Sequence, residues 1–289
     1  MLLKDFLKEG AARLESFYPA REAMNIMLIL CEERIGTKRF THLVEPDFSI
    51  NDGDLPRLKA DLERLSCGEP IQYVLGYADF CEFRFTVTPD VLIPRPETEL
   101  LCKEAIRVLG TVPKPRVLDL CTGSGCIAWT IALNIPGSVV FGTDISQEAL
   151  EVAAGQEFSS ELEETGALAP VFIKADLLGD EKALGQAGFD LIVSNPPYIK
   201  ESEKALMSPN VLDFEPSSAL FVPDDDPLLF YRHIARWSRI LLSPGGRGMV
   251  EINELLGEET KSLFAEAGFE EVIIVKDFYG KNRFVSFGK

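Results

Sequence analysis

The sequence predicts an α/β protein: a seven-stranded, mostly parallel sheet wound with helices, preceded by a small all-α bundle and a β-hairpin linker. Three observations lead there. From about residue 115 onward seven strand-like runs appear, most of them separated by helical stretches, the alternation that βαβ units with right-handed crossovers require. The first 70 residues instead repeat apolar side chains at helical spacing. Between the two regions lies an aromatic and β-branched stretch interrupted by Gly76, the pattern of a hairpin.

In chain order, Leu3, Phe6, Leu7, Ala11 and Leu14 recur at helical spacing. Residues 21–34 carry the run AMNIMLILC, apolar nearly all round, and 56–66 repeat the pattern with Leu58, Leu62 and Leu65. These segments define a helical bundle over 1–70. The stretch PIQYVLGYADFCEFRFTV then supplies the hairpin, assigned to a linker over 71–92. The remainder, 93–289, holds the sheet. Its strands are RVLDLCT (116–122), SVVFGTDI (138–145), PVFIKADL (170–177), FDLIVSN (189–195) and GRGMVEI (246–252), followed by EEVIIVKD and NRFVSFGK. The last two are joined by FYGK, too short for a crossover helix, so one of them runs antiparallel to its neighbour.

Composition bounds the function. At 289 residues, 46% of them hydrophobic, the chain suits one large domain plus a small one with a sizeable core. No segment reaches the roughly 20 apolar residues that span a bilayer, and the first ten residues mix charges too early for a signal peptide. We expect a soluble, cytoplasmic protein without membrane association. Six cysteines form no CxxC pair and the two histidines lie far apart, so neither a zinc site nor a disulfide framework is expected. The net charge of −17 divides into −3 for residues 1–70, with 10 basic and 13 acidic side chains, and −14 for the rest, with 19 and 33. A duplex-binding protein needs the opposite sign on its contact face, so no stable nucleic-acid binding is expected.

The first strand of the sheet runs into DLCTGSGCIA, which places Asp119 near the strand end, Gly123 and Gly125 in a turn, and an apolar helix from about Cys126. Glycines let a backbone approach a ligand closely, and in doubly wound sheets this crevice takes nucleotides. Nineteen residues after Gly125, Asp144 ends the second strand, where a carboxylate can accept both hydroxyls of a ribose. The glycines alone leave three readings open: S-adenosylmethionine, a nicotinamide or flavin dinucleotide, and simple turn geometry.

SNPPYIK, residues 194–200, narrows the choice. Two prolines must end the strand 189–193, and the ends of strands one, two and four converge on one crevice in this fold. The Asn195 side-chain oxygen and the Pro196 carbonyl offer two acceptors, which suit the two N–H bonds of a planar NH₂ group. Tyr198 adds an aromatic face against that group. An amide or exocyclic amine nitrogen is a poor nucleophile because its lone pair is delocalised. Two acceptors orient it toward an electrophilic methyl and stabilise the positive charge that grows on nitrogen. The competing reading is a rigid proline turn that merely closes a strand.

NPPY together with DLCTGSG resembles the amino-methyltransferases that use S-adenosylmethionine, among them DNA adenine and protein glutamine methyltransferases. TPDVLIPRPETE (88–99), SNPPYI (194–199), FEPSSAL (214–220) and the terminal Asp277, Gly280 and Arg283 further resemble the HemK/PrmC family, which methylates peptide-chain release factors on glutamine N5. That resemblance covers nearly the whole chain. It implies a Rossmann-like, seven-stranded methyltransferase domain over 93–289 and a release-factor-docking role for the helical domain 1–70. It further implies S-adenosyl-L-methionine as cofactor, S-adenosyl-L-homocysteine as product, no metal, and class I release factors as protein substrates.

Residue by residue, the resemblance assigns Cys121, Thr122, Gly123, Ser124 and Gly125 to the methionine and ribose part of the cofactor and Asp144 to the ribose. Asp176 and Leu177 fall where the family holds the adenine. Asn195, Pro196 and Tyr198 are the implied catalytic residues; with Pro197 they bind the glutamine amide, and Asn195 also lies near the cofactor. The PRPETE segment lines the cofactor side in the family, although its prolines and glutamates equally suit the first turn of a helix. Arg95 therefore stands open, as do substrate contacts from 199–226. Two departures are visible. Where the family has Glu-Ile-Gly followed by glutamine, this chain reads EINELLG with Asn253 and Leu256, and where an asparagine follows an alanine-rich helix it has Gly155 or Gln156. Two other readings stay in view: a nucleic-acid amino-methyltransferase acting on adenine N6, and an S-adenosylmethionine-binding protein without turnover.

Overall fold

The computed structural model describes residues 1–179, 181–185 and 187–289. The chain divides into two compact units, Met1–Tyr77 with Leu206–Glu215, and Ala78–Ala205 with Pro216–Lys289.

The first unit is helical. Helix Leu3–Leu14 turns Leu3, Phe6, Leu7, Ala11 and Leu14 inward, the i, i+3, i+4 stripe legible in the sequence. Helix Ala20–Ile35 buries Ala23, Ile26, Met27 and Leu30 and stops at Gly36, whose φ of 67° lets its N–H close back on Glu32. Helix Leu55–Ser66 adds Leu58, Leu62 and Leu65 to the same core. Arg34 pairs with the buried Asp61 at 2.7 Å and donates a second bond to the Val74 carbonyl at 2.9 Å, so the ion pair is hydrogen-bonded, as burial demands.

Residues 71–75, expected as the start of the hairpin, form a helix instead, Ile71–Leu75. Pro70 presets the backbone at its start and Gly76, with φ 88°, caps its end. The β-branched side chains that suggested a strand are spent on packing, since Ile71 and Val74 belong to the helical core. Leu206–Glu215 also belongs to this unit. Within it, helix Pro209–Phe214 carries Asn210, whose Nδ2 donates to the Tyr18 hydroxyl at 3.0 Å.

The hairpin proper consists of β1 (Tyr77–Phe80) and β2 (Phe83–Thr86). Its two turn residues, Cys81 and Glu82, both have positive φ, 48° and 69°, the hand that matches the twist of a tight hairpin.

The second unit is the sheet. Its strands are β3 (Arg116–Leu120), β4 (Val139–Asp144), β5 (Val171–Lys174) and β6 (Phe189–Ser194). After the short pair β7 (Ile199–Lys200) and β8 (Phe221–Val222) come β9 (Leu242–Glu251), β10 (Glu270–Lys276) and β11 (Asn282–Gly288). Seven of them form one sheet in the order β10-β11-β9-β6-β3-β4-β5. β3 to β6 and β9 pair in parallel; β10 and β11 are antiparallel, as the short FYGK connection demands, and it is β11 that opposes the rest of the sheet, running antiparallel to β9 as well. β9 starts at Leu242, four residues before the run read as a strand, with a register shift between the Phe189–Leu242 and Leu191–Arg247 pairs.

The central strands are apolar on both sides because both faces are covered. Val117, Leu191 and Val193 point into a core shared with helices Thr98–Leu109 and Cys126–Asn134. Leu118, Leu120 and Ile192 point into a second core under helices Leu229–Leu241 and Gly257–Glu266. Sequence order reverses between β3 and β6, and at such a switch point the loops leave in opposite directions and open a crevice beyond the strand ends. Among the described residues no helix is long and apolar enough to cross a membrane.

Candidate active site

The crevice is a cavity of about 330 Å³ lined by the ends of β3, β4, β5 and β6, within the size range of small-molecule sites. At the end of β3 the chain turns through Cys121, Gly123 and Gly125, with φ of 58°, 54° and 79°. A Cβ on Gly125 would sit 3.0 Å from Ala153 Cβ, 3.1 Å from the Phe172 ring and 3.2 Å from Trp129. Gly125 thus permits close packing of helix Cys126–Asn134, whereas a Cβ on Gly123 would meet nothing within 4 Å. Beneath the loop, the Thr122 hydroxyl donates to the Asp119 carboxyl at 2.6 Å. Burial pushes the pKa of Asp119 up to about 7, against that hydrogen bond.

Asp144 ends β4 facing the loop. Its Oδ2 accepts from the Gly123 N–H at 2.9 Å and its Oδ1 from the Ser146 N–H at 3.0 Å. Burial raises its pKa while these backbone donors favour the charged form. A carboxylate has about four lone-pair sites in all, so acceptor capacity beyond the backbone donors is left for a hydroxyl of a ligand. At the end of β5, Asp176 is held by the Leu178 N–H at 2.9 Å, and Leu177 is buried.

At the end of β6 a connected network appears. Asn195 Nδ2 donates to the Thr98 hydroxyl at 3.4 Å. Thr98 donates to Glu251 Oε2 at 2.7 Å, and the Tyr198 hydroxyl donates to Glu251 Oε1 at 3.0 Å. Glu251 is only 4% exposed; burial raises its pKa and its two hydroxyl partners pull it back down. Burial, and then the neighbouring Glu251 charge, hold the Tyr198 phenol well above its ordinary value. Asn253 adds a bond from its Nδ2 to the Tyr198 carbonyl at 3.3 Å.

Of the residues singled out for the cofactor, Cys121, Thr122, Gly123, Ser124, Asp144, Asp176, Leu177 and Asn195 line the cavity, and Gly125 shapes the loop from behind. Asn195 and Pro197 of the proline motif line it as well. Pro196 and Tyr198 are not among its lining residues, and the Tyr198 hydroxyl is committed to Glu251. Arg95 lines the cavity, as do Pro216 and Ser218 of the FEPSSAL segment, which β8 holds beside β7 by parallel pairing.

Three contributors escaped the sequence reading. Thr98 sits inside PRPETE and Glu251 ends an apolar strand, both visible in the sequence but without any sign that they meet. Gln156 is the third. Its amide donates to the carbonyls of Thr86 at 3.0 Å and Ser124 at 3.1 Å and accepts from the Thr86 N–H at 2.8 Å, stapling β2 to the glycine loop. Only its place after the alanine-rich helix hinted at a role.

Comparison with known proteins agrees with this architecture. Residues 98–211 match the family model described as methyltransferase small domain, and residues 5–76 match the PrmC N-terminal domain. The chain is 38% identical over 277 residues to a release factor glutamine methyltransferase of Bacteroides thetaiotaomicron, covering 94% of this chain and 95% of that one. It is 37% identical over 288 residues to the protein of that name from Flavobacterium psychrophilum, covering 99% and 98%. Among solved structures, a release factor-specific protein-(glutamine-N5) methyltransferase from Alicyclobacillus acidocaldarius is 32% identical. That likeness covers 71% of this chain and 99% of that one, with a TM-score of 0.43.

Proposed function

The chain belongs to the release factor glutamine methyltransferases, and from that premise we propose that it methylates the side-chain amide nitrogen, N5, of a glutamine in peptide-chain release factors. S-adenosylmethionine supplies the electrophilic methyl group when bound. The residues fit that group: an open glycine at position 123 and a carboxylate at 144 with acceptor capacity beyond its backbone partners.

Asn195 carries the reading. It lines the same cavity as Asp144, and its amide nitrogen is engaged by Thr98, which turns the side-chain oxygen to the substrate side. That oxygen and the Pro196 carbonyl accept the two N–H bonds of the glutamine amide. The acceptors hold the nitrogen lone pair in line with the incoming methyl and offset positive charge as it develops. Once nitrogen is alkylated its proton is acidic and leaves to solvent. The Tyr198 hydroxyl, anchored on Glu251, holds the turn that presents these acceptors. Class I release factors are the proposed protein partners, with the helical unit as the docking element; neither nucleic acid nor membrane is part of the proposal.

The test is to incubate the protein with labelled S-adenosylmethionine and either a class I release factor or duplex DNA, then locate the label. We expect it on a single glutamine of the release factor. Label in DNA alone would replace this reading with an adenine amino-methyltransferase, and no transfer to either would leave a binding protein.

A further inference from the structure

We infer that Glu251 is a positioning residue that fixes, through the Thr98 hydroxyl, which end of the Asn195 amide faces the substrate. The inference rests on the acceptor role proposed for Asn195.

A threonine hydroxyl has one proton, and an ionised carboxylate can only accept. Thr98 therefore gives its proton to Glu251 Oε2, 2.7 Å away, and presents a lone pair to Asn195, 3.4 Å away. Only the NH₂ end of the amide can meet that lone pair, so the oxygen is the end left for the cavity. The other carboxylate oxygen accepts the Tyr198 proton. One buried group thus sets the hydrogen-bond polarity on both sides of the two prolines. Its own place is rigid: Glu251 is the last residue of β9, opposite Phe284 of β11, and Thr98 opens helix Thr98–Leu109.

A purely structural staple between helix and sheet makes a different demand. It needs a polar side chain of this length with two hydrogen-bonding ends, which glutamine also has. Glutamine cannot accept at both ends. Wherever its NH₂ group settles, either Thr98 or Tyr198 must accept instead of donate. If Thr98 does, its proton turns to Asn195, the amide flips, and two NH₂ groups confront each other across the reacting position.

The experiment measures kcat and KM for a release factor substrate at saturating S-adenosylmethionine, together with cofactor affinity and thermal stability, for Thr98→Ser, Thr98→Val, Glu251→Gln and Asn195→Ala in the full chain. Expected is a loss in kcat on the order of 10- to 100-fold for Thr98→Val, the scale of a misplaced reacting group, and a comparable loss for Glu251→Gln where its NH₂ group settles on Thr98, with cofactor affinity unchanged. Thr98→Ser, which keeps the hydroxyl, recovers most of the Thr98→Val loss. Combining Thr98→Val with Glu251→Gln costs less than the product of the single losses, because both act on one amide. A Thr98→Val enzyme as active as Thr98→Ser overturns the relay even if Glu251→Gln does not fold. An Asn195→Ala enzyme at the wild-type rate instead removes the acceptor role beneath it, so the two failures are distinguishable.

Discussion

At Asn195 the decisive property is a lone pair at a fixed place, and at Asp144 it is a pair of acceptors left over after the backbone has taken its share. The two substitutions should therefore separate kinetically. Asn195→Ala removes a positioned partner from a water-poor site, which typically costs on the order of 100- to 1,000-fold in rate. Cofactor affinity should survive, and a rate within threefold of wild type would sink the assignment. Asp144→Ala should weaken S-adenosylmethionine by roughly 1.5–3 kcal/mol, the range for hydrogen bonds to a charged group. Because Asp144 also holds the Gly123 and Ser146 N–H groups, the variant should melt earlier as well. Calorimetry with unchanged cofactor affinity would mean that Asp144 faces something other than the ribose.

At the scale of elements, the glycine loop is held from two sides, by Asp119 below and by Gln156 from the hairpin side. Gln156→Ala strands the buried Ser124 carbonyl and frees the more exposed Thr86 backbone groups to water, and an unsatisfied buried partner costs about 1–3 kcal/mol. Thermal unfolding should show that loss, and titration with S-adenosylmethionine should show weaker binding; unchanged values for both would mean the staple is dispensable. Asp119 gives a pH dependence. Its folded pKa, about 7, stands above its ordinary value of 3.8, so in the interval between them the folded state holds a proton that the unfolded chain has released. The stability it contributes is full below that interval and is lost as pH rises toward 7. We expect Asp119→Asn to lose less melting temperature than wild type between pH 5 and 8, and equal losses would show that Asp119 is not what titrates. The hairpin shows where elements were misread: β-branched residues at 71–75 suit a strand locally, yet Pro70, Gly76 and an apolar core beside them make a helix, and tertiary packing outweighs propensity.

For the whole molecule, the sheet unit has its own two cores, so deletion of Met1–Tyr77 should leave it folded and able to bind S-adenosylmethionine. Methylation of an intact release factor should fall sharply, because a lone glutamine side chain offers too little surface to offset the entropy of docking a protein. The helical unit, however, also includes Leu206–Glu215, and the chain passes straight from there to Pro216 and Ser218 in the cavity wall. A short glutamine peptide should therefore also be methylated more slowly by the truncated chain, though less drastically than the intact protein. Equal losses on peptide and protein would show that the helical unit acts by ordering this segment and not by docking.

Periodicity and motif spacing by themselves determined the seven strands, an antiparallel pair at the end of the chain, the helical first region and the convergence of Gly123, Asp144 and Asn195 on one crevice; Cys121, Thr122, Ser124 and Asp176 are implied only by the family resemblance. The elements and that convergence follow from local rules: which faces are apolar, where proline and glycine stop an element, and how parallel crossovers must wind. Only the tertiary structure decided that Thr98, Asn195, Tyr198 and Glu251 share one network, that Gln156 ties the hairpin to the glycine loop, and that 206–215 belongs with residues 1–77. Thr98 and Glu251 are 153 positions apart. A hydrogen bond between side chains so far apart has no period or spacing to betray it, because it depends on the register of β9 and the angle at which one helix crosses the sheet, and those are set by packing across the whole core.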